Sequence, residues 1–199
     1  MIRAPHLVEL TLVRHARAEG EGTARGWLDA PLTAEGRAQT EALAAALGAT
    51  SWDTVWGSDL ARAWALAGRF PGARPDARLR EQHFGAWEGR SWPVWAEASA
   101  EERAFLEGAP GARPPEGESV DDLAARVAPV WAAVLGATPP GGRALAVTHA
   151  GVIRVTLCAA LGVPLEAARR FAPAPGSWCR LAVHDAGAVL THFGCDPPR

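Results

Sequence analysis

Residues 7–15 read Leu-Val-Glu-Leu-Thr-Leu-Val-Arg-His, a short apolar run rich in β-forming residues that stops at the polar pair Arg14-His15. That pattern is expected of a strand buried inside a sheet. Interrupted by Glu9, the run is too brief to cross a bilayer, and it lacks the charged start and cleavage site of a signal peptide. The protein is accordingly expected in the cytoplasm.

Working outward, two further segments end in the same way. Residues 52–57 read as a strand leading into Ser58-Asp59, which starts a helix over 60–69 with Arg62 in its first turn. Residues 144–147 read as a buried strand ending at Thr148-His149, followed by a helix over 152–161 that Gly162 stops. Between these units, 32–47 is expected to be a helix capped by Thr33, with Leu43, Ala46 and Leu47 as its apolar stripe and Gly48 closing it. Residues 92–107 read as helical, and Ser119 to Asp122 fits a capping box opening a helix to about Leu135, kinked at Pro129. Strands over 178–183 and 188–193, joined through Asp185-Ala186-Gly187, make a closing hairpin.

Strands alternating with helices indicate an α/β protein with a mostly parallel sheet, and such sheets bind ligands beyond the carboxyl ends of their strands. Arg14-His15, Ser58-Asp59 with Arg62, and Thr148-His149 therefore converge on one edge. Two arginines and two histidines beside helix N-termini suit a phosphate dianion, because charge, donors and dipoles all favour negative charge there.

Composition restricts the chemistry further. The 199 residues, 48% of them hydrophobic, form one domain, and the Pro/Gly-rich stretches at 108–117 and 136–142 are loop-length. A net charge of −2 offers no global field for nucleic acid or an anionic membrane. All 20 basic residues are arginine, which excludes Schiff-base catalysis and the lysine of a P-loop. The odd, scattered set Cys158, Cys179 and Cys195 forms neither a metal-ligand pair nor a disulfide framework and is expected to be buried thiols.

Four motifs then stand in order: LVRHA at 12–16, SDLARA at 58–63, LREQHFGAWEG at 79–89 and VTHAGVIR at 147–154. With them the chain resembles the histidine phosphatase superfamily, the phosphoglycerate mutase-like proteins, from about residue 7 to 193. The resemblance implies a three-layer α/β/α sandwich, no metal and no cofactor. It implies that His15 is the nucleophile, transiently phosphorylated on one ring nitrogen while a backbone carbonyl holds the other. Arg14, Arg62 and His149 would bind the phosphoryl group, their crowded charge keeping His15 unprotonated. Glu81 would protonate the leaving alcohol and then activate water. Glu88, in the same motif, competes for that role, its other reading being a loop cap beside Gly89.

The chain also departs from the family pattern. Ala16, Ala18 and Glu21 stand where the family commonly has Gly, Thr and Asn. Arg25, or the backbone N–H of Gly26, is the candidate substitute phosphate donor, an ordinary surface arginine being the alternative. Within the superfamily, LREQHFGAWEGRSW at 79–92 and PPEGESVDDLAARV at 114–127 look most like alpha-ribazole phosphatases and related enzymes acting on small phosphorylated metabolites. Phosphoglycerate mutases are generally longer. The RHARAE form of the first motif is similar to protein-phosphohistidine phosphatases, but segment 90–118, with Trp92, Trp95 and Phe105, reads as a cap over the pocket or as core packing. A reading from another class is a phosphate-binding regulatory protein on the same fold.

Overall fold

The computed structural model describes residues 8–93, 97–109 and 111–196. Six strands form one sheet in the order β3-β2-β4-β1-β5-β6. At its centre β1 (Val8–Arg14) runs parallel to β4 (Gly142–Thr148). On one side β2 (Thr54–Gly57) and the two-residue β3 (Arg74–Pro75) continue in parallel, and on the other β5 (Trp178–His184) and β6 (Gly187–Cys195) run antiparallel. The mostly parallel sheet is as expected.

The central strands are apolar on both faces, so each face needs a helical layer. Leu10, Leu12, Ala144 and Ala146 enter one core with Leu123, Val127, Val130 and Val134 of α4 (Val120–Ala137) and Val152, Ile153 and Leu157 of α5 (Ala150–Leu161). Val13, Leu145 and Val147 enter the other with Leu43 and Leu47 of α1 (Ala34–Gly48) and Ala63, Leu66 and Ala67 of α2 (Ala61–Ala67). Helices on both faces give the three layers. No helix among the described residues is long and apolar enough to cross a membrane.

Local signals explain the element ends, including those misplaced on sequence grounds. The Thr33 side chain caps α1 by accepting the Gly36 N–H, as expected, but Gly48 lies inside that helix and Ala49 ends it in a right-handed conformation. Gly162 does end α5, with φ 64°. Helix α2 does not start at Ser58-Asp59: its N-cap, Leu60, offers no side-chain bond, and the Ala61 N–H goes instead to Asp29 Oδ2 at 2.9 Å. Asp59 is taken by Arg80, which holds its carboxyl below the usual aspartate range.

The helix expected over 92–107 is shorter. Trp92 and Pro93 are not helical, and α3 (Ala100–Glu107) begins at a capping box between Ser99 and Glu102. Residues 94–96 of that expectation, Trp95 among them, lie outside the described residues. Ser119 and Asp122 form the second capping box, opening α4, which continues past Pro129 to Ala137. The closing hairpin is present. Cys158 and Cys179 are buried, burial pushing the Cys179 thiol up to about 12, whereas Cys195, at the end of edge strand β6, is partly exposed.

Candidate active site

Parallel alignment brings the carboxyl ends of β1, β2 and β4 together. The ladder continues past the strands, with His15 N–H donating to the Thr148 carbonyl at 2.9 Å and Ser58 N–H to that of Val147 at 3.0 Å. His15, Arg14 and Arg62 consequently line one cavity of about 270 Å³ with Arg25 and Glu81.

His15 is buried, and its Nδ1 lies 2.7 Å from the Ala16 carbonyl oxygen. A carbonyl only accepts, so Nδ1 carries the proton and the Nε2 lone pair is left free. Burial, reinforced by the charges of Arg62 and Arg14, drives its pKa well below that of an ordinary histidine, so the ring is neutral.

His149 lies behind it, fully buried, with ring centroids 4.9 Å apart in an edge-to-face arrangement. Its Nε2 is 2.9 Å from Ser58 Oγ, while Nδ1 has no partner. Burial first, and then His15 and Arg62, likewise push its pKa well down. Arg14 donates through Nη1 to the Pro173 carbonyl at 2.8 Å, and its buried Nε is unpartnered. Arg62, 2% exposed, donates to the Leu28 carbonyl at 2.8 Å and the Gly26 carbonyl at 2.6 Å, which ties the loop after β1 to α2. Burial lowers the pKa of both arginines.

Residues 10–196 match the family model described as the histidine phosphatase superfamily (branch 1). The chain belongs to that superfamily. It is 34% identical, over 78% of its length and 76% of the relative's, to a glucosyl-3-phosphoglycerate phosphatase of Mycobacterium tuberculosis. It is 32% identical, over 82% and 80%, to a probable phosphoglycerate mutase of Photorhabdus laumondii. Among solved structures, an alpha-ribazole phosphatase from Shigella flexneri superimposes with a TM-score of 0.83 at 27% identity, covering 94% of this chain and 96% of that one. The protein is thus a phosphatase of the histidine phosphatase fold.

The two glutamates of this phosphatase's third motif have different surroundings. Glu81 lines the cavity, and its carboxylate accepts the Gly151 N–H at the start of α5 and the Gln82 N–H. Its backbone carbonyl is held from two sides, by Trp27 Nε1 and Arg126 Nη2, each at 3.0 Å. Glu88 does not line the cavity. It accepts four backbone N–H groups, from Gly26, Trp27, Leu28 and Phe84, at 2.8 to 3.1 Å, and so clamps the loop that Arg62 also holds.

Arg25 is in the cavity wall, with Nη1 bonded to the Ala18 and Glu19 carbonyls and a buried Nε without a partner. Gly26 is not available as a phosphate donor, because its N–H is committed to Glu88 at 3.0 Å. Glycine is required there for a different reason, since a Cβ would lie 2.0 Å from the Gln82 carbonyl oxygen. Ala16, Ala18 and Glu21 line the cavity beside Thr23.

From segment 90–118, Trp92 reaches the cavity next to Phe84, and both pack on Phe105, which is buried with Ala24 and Trp87 and does not line that cavity. Arg154, a residue for which the sequence raises no expectation of a role, also lines the cavity, from α5. Its signal was present in the fourth motif: Ala150 and Arg154, four apart, share one face of the helix that starts at His149.

Proposed function

We propose that this phosphatase hydrolyses small organic phosphomonoesters through a phosphohistidine on His15. The observation that carries this is the unpaired nitrogen set around the neutral His15 ring. Of five buried side-chain nitrogens without a partner among the described residues, three belong to Arg14, Arg25 and His149. A buried donor without a partner is costly, and a phosphoryl oxygen is the partner that this charge and position favour.

The phosphoryl group sits against Arg14, Arg25 and Arg62, whose charges neutralise its equatorial oxygens, while the neutral His149, buried behind His15, contributes hydrogen bonding rather than charge. The His15 Nε2 lone pair attacks phosphorus in line, and the bond to the ester oxygen breaks. Protonated Glu81 gives that oxygen its proton, so the alcohol leaves neutral. Glu81, now a carboxylate, takes a proton from a water whose oxygen attacks the phosphohistidine. The P–N bond breaks, and inorganic phosphate and His15 are restored. Trp92 and Phe84 stand as apolar walls of the cavity and select a small substrate, and α-ribazole 5′-phosphate and glycerate phosphates are the first compounds to assay. The mutase reading shares the first half-reaction and differs only in returning the phosphoryl group to a hydroxyl.

Rapid quenching with labelled substrate tests the proposal. The wild type should yield an acid-labile, base-stable phosphoprotein and His15→Ala none. Absence of that species in the wild type, or its persistence in the variant, rules out His15 as nucleophile.

A further inference from the structure

Five arginines and two glutamates line the cavity among the described residues. With His15 neutral and Glu81 holding the proton it donates, Glu21 and a bound phosphoryl dianion leave two positive charges unmatched. Three of the arginines, Arg14, Arg25 and Arg62, surround the place assigned to the phosphoryl group. Arg17 is already neutralised at the rim, by Glu21 at 2.9 Å and Glu35 at 3.3 Å.

Arg154 has no such partner. Its Nε donates to the Phe171 carbonyl at 2.9 Å, which orients the guanidinium plane. Neither Nη bonds a described protein atom, and no described carboxylate pairs with it. The side chain lines the phosphoryl cavity and also a second cavity of about 50 Å³ bordered by Phe105, Leu123 and Val155. An arginine shared by the two cavities is placed to meet a leaving group that extends from the first towards the second. Its charge also reaches Arg14, whose pKa it helps to lower.

We infer that Arg154 determines specificity by binding a second anionic group, a carboxylate or a phosphate, carried on the leaving group of the phosphomonoester. This rests on the phosphatase reading above and assigns a substrate class to the same site. A guanidinium oriented through Nε presents its two Nη groups as a fork that matches either anion. Substrates lacking the second charge leave that fork unpaired, and the loss of a charged hydrogen-bonded contact is about tenfold or more in kcat/KM.

Two substrate pairs test this, with p-nitrophenyl phosphate as reference. The first pair, 3-phosphoglycerate and glycerol 3-phosphate, differs in a carboxylate. The second, fructose 1,6-bisphosphate and fructose 6-phosphate, differs in a phosphate. In the wild type one pair should show a preference of about tenfold or more for the doubly anionic member, and the pair that does so names the group. Arg154→Gln should bring that ratio close to one, and Arg154→Lys, which keeps the charge without the fork, should leave it between the two. If neither pair shows a preference, or Arg154→Gln slows both members equally, the inference is overturned while hydrolysis of p-nitrophenyl phosphate leaves the phosphatase reading standing. If the wild type hydrolyses none of the five compounds, the phosphatase reading fails and Arg154's role with it.

Discussion

The Glu81 carboxylate accepts the backbone N–H of Gly151 at 3.0 Å through Oε1 and 3.2 Å through Oε2. The approach is so close that a Cβ on residue 151 would lie 2.2 Å from Oε1. Helix α5 thus presents His149 at its N-cap, a bare glycine to the carboxylate two residues on, and Arg154 one turn further. The first two turns of one helix carry the proposed phosphoryl ligand, the contact to the proposed proton donor and the proposed ligand of the substrate anion.

Gly151→Ala should displace Glu81 without unfolding the protein. The severe clash is with the far end of the Glu81 side chain, Leu123 Cδ2 at 3.2 Å needs to give by only a few tenths of an ångström, and alanine improves helix propensity by up to about 1 kcal/mol, so the melting temperature should change by no more than a few degrees. On alkyl phosphates, whose alkoxides are strongly basic, kcat/KM should fall by about 10²-fold or more, and on p-nitrophenyl phosphate far less. Glu81→Gln should give the same split, and the double variant should be no worse than either single one. Equal losses on both substrates would remove Glu81 from the acid role.

Glu88→Gln should behave in the opposite way. Its four backbone donors need an acceptor-only carboxylate, and an amide NH₂ turned towards them leaves at least one unsatisfied. Stability should drop by about 2–4 kcal/mol, measured by urea denaturation, with rates on alkyl and aryl substrates reduced by the same factor. A leaving-group-dependent loss would reopen the assignment of the acid.

Those two glutamates show where sequence reading reached its limit. The strand ends at Arg14-His15 and Thr148-His149 were legible because each apolar run stops abruptly at a polar pair, and parallel strands must then gather those pairs. Which of two carboxylates in one irregular loop enters the cavity depends on a long-range approach by residues 26–28 that has no periodic signature. The same approach consumes the Gly26 N–H and makes that glycine a packing requirement rather than a phosphate donor. The start of α2 was misplaced for a related reason: the group that accepts its Ala61 N–H is Asp29, distant in sequence.

Hydrolysis should proceed undiminished in excess EDTA. Positive charge around the phosphoryl site is supplied by arginine, and among the described residues no group of three or more His, Cys, Asp or Glu could hold a metal ion. Loss of activity on chelation, restored by Mg²⁺ or Zn²⁺, would contradict the proposed mechanism.

The neutral histidine pair should make stability sensitive to mild acid. In the unfolded chain each imidazole takes up a proton near pH 6.5, as an ordinary histidine does. In the folded protein burial and the arginine charges push both pKa values well below that. Between the folded values and about 6.5 the unfolded state therefore binds more protons, so stability rises with pH through that window and is fully present above it. As pH falls from 7 to 5, each histidine should remove up to about 1.4 kcal/mol per pH unit below 6.5. Replacing one of them with a residue that does not titrate, as in His149→Gln, should roughly halve that slope even if the variant is less stable at neutral pH. Urea midpoints at pH 5, 6 and 7 for wild type, His15→Asn and His149→Gln decide the matter. A wild-type midpoint that does not move over this range would mean that the pair is not held neutral by the fold, and the free Nε2 lone pair assigned to His15 would lose its basis.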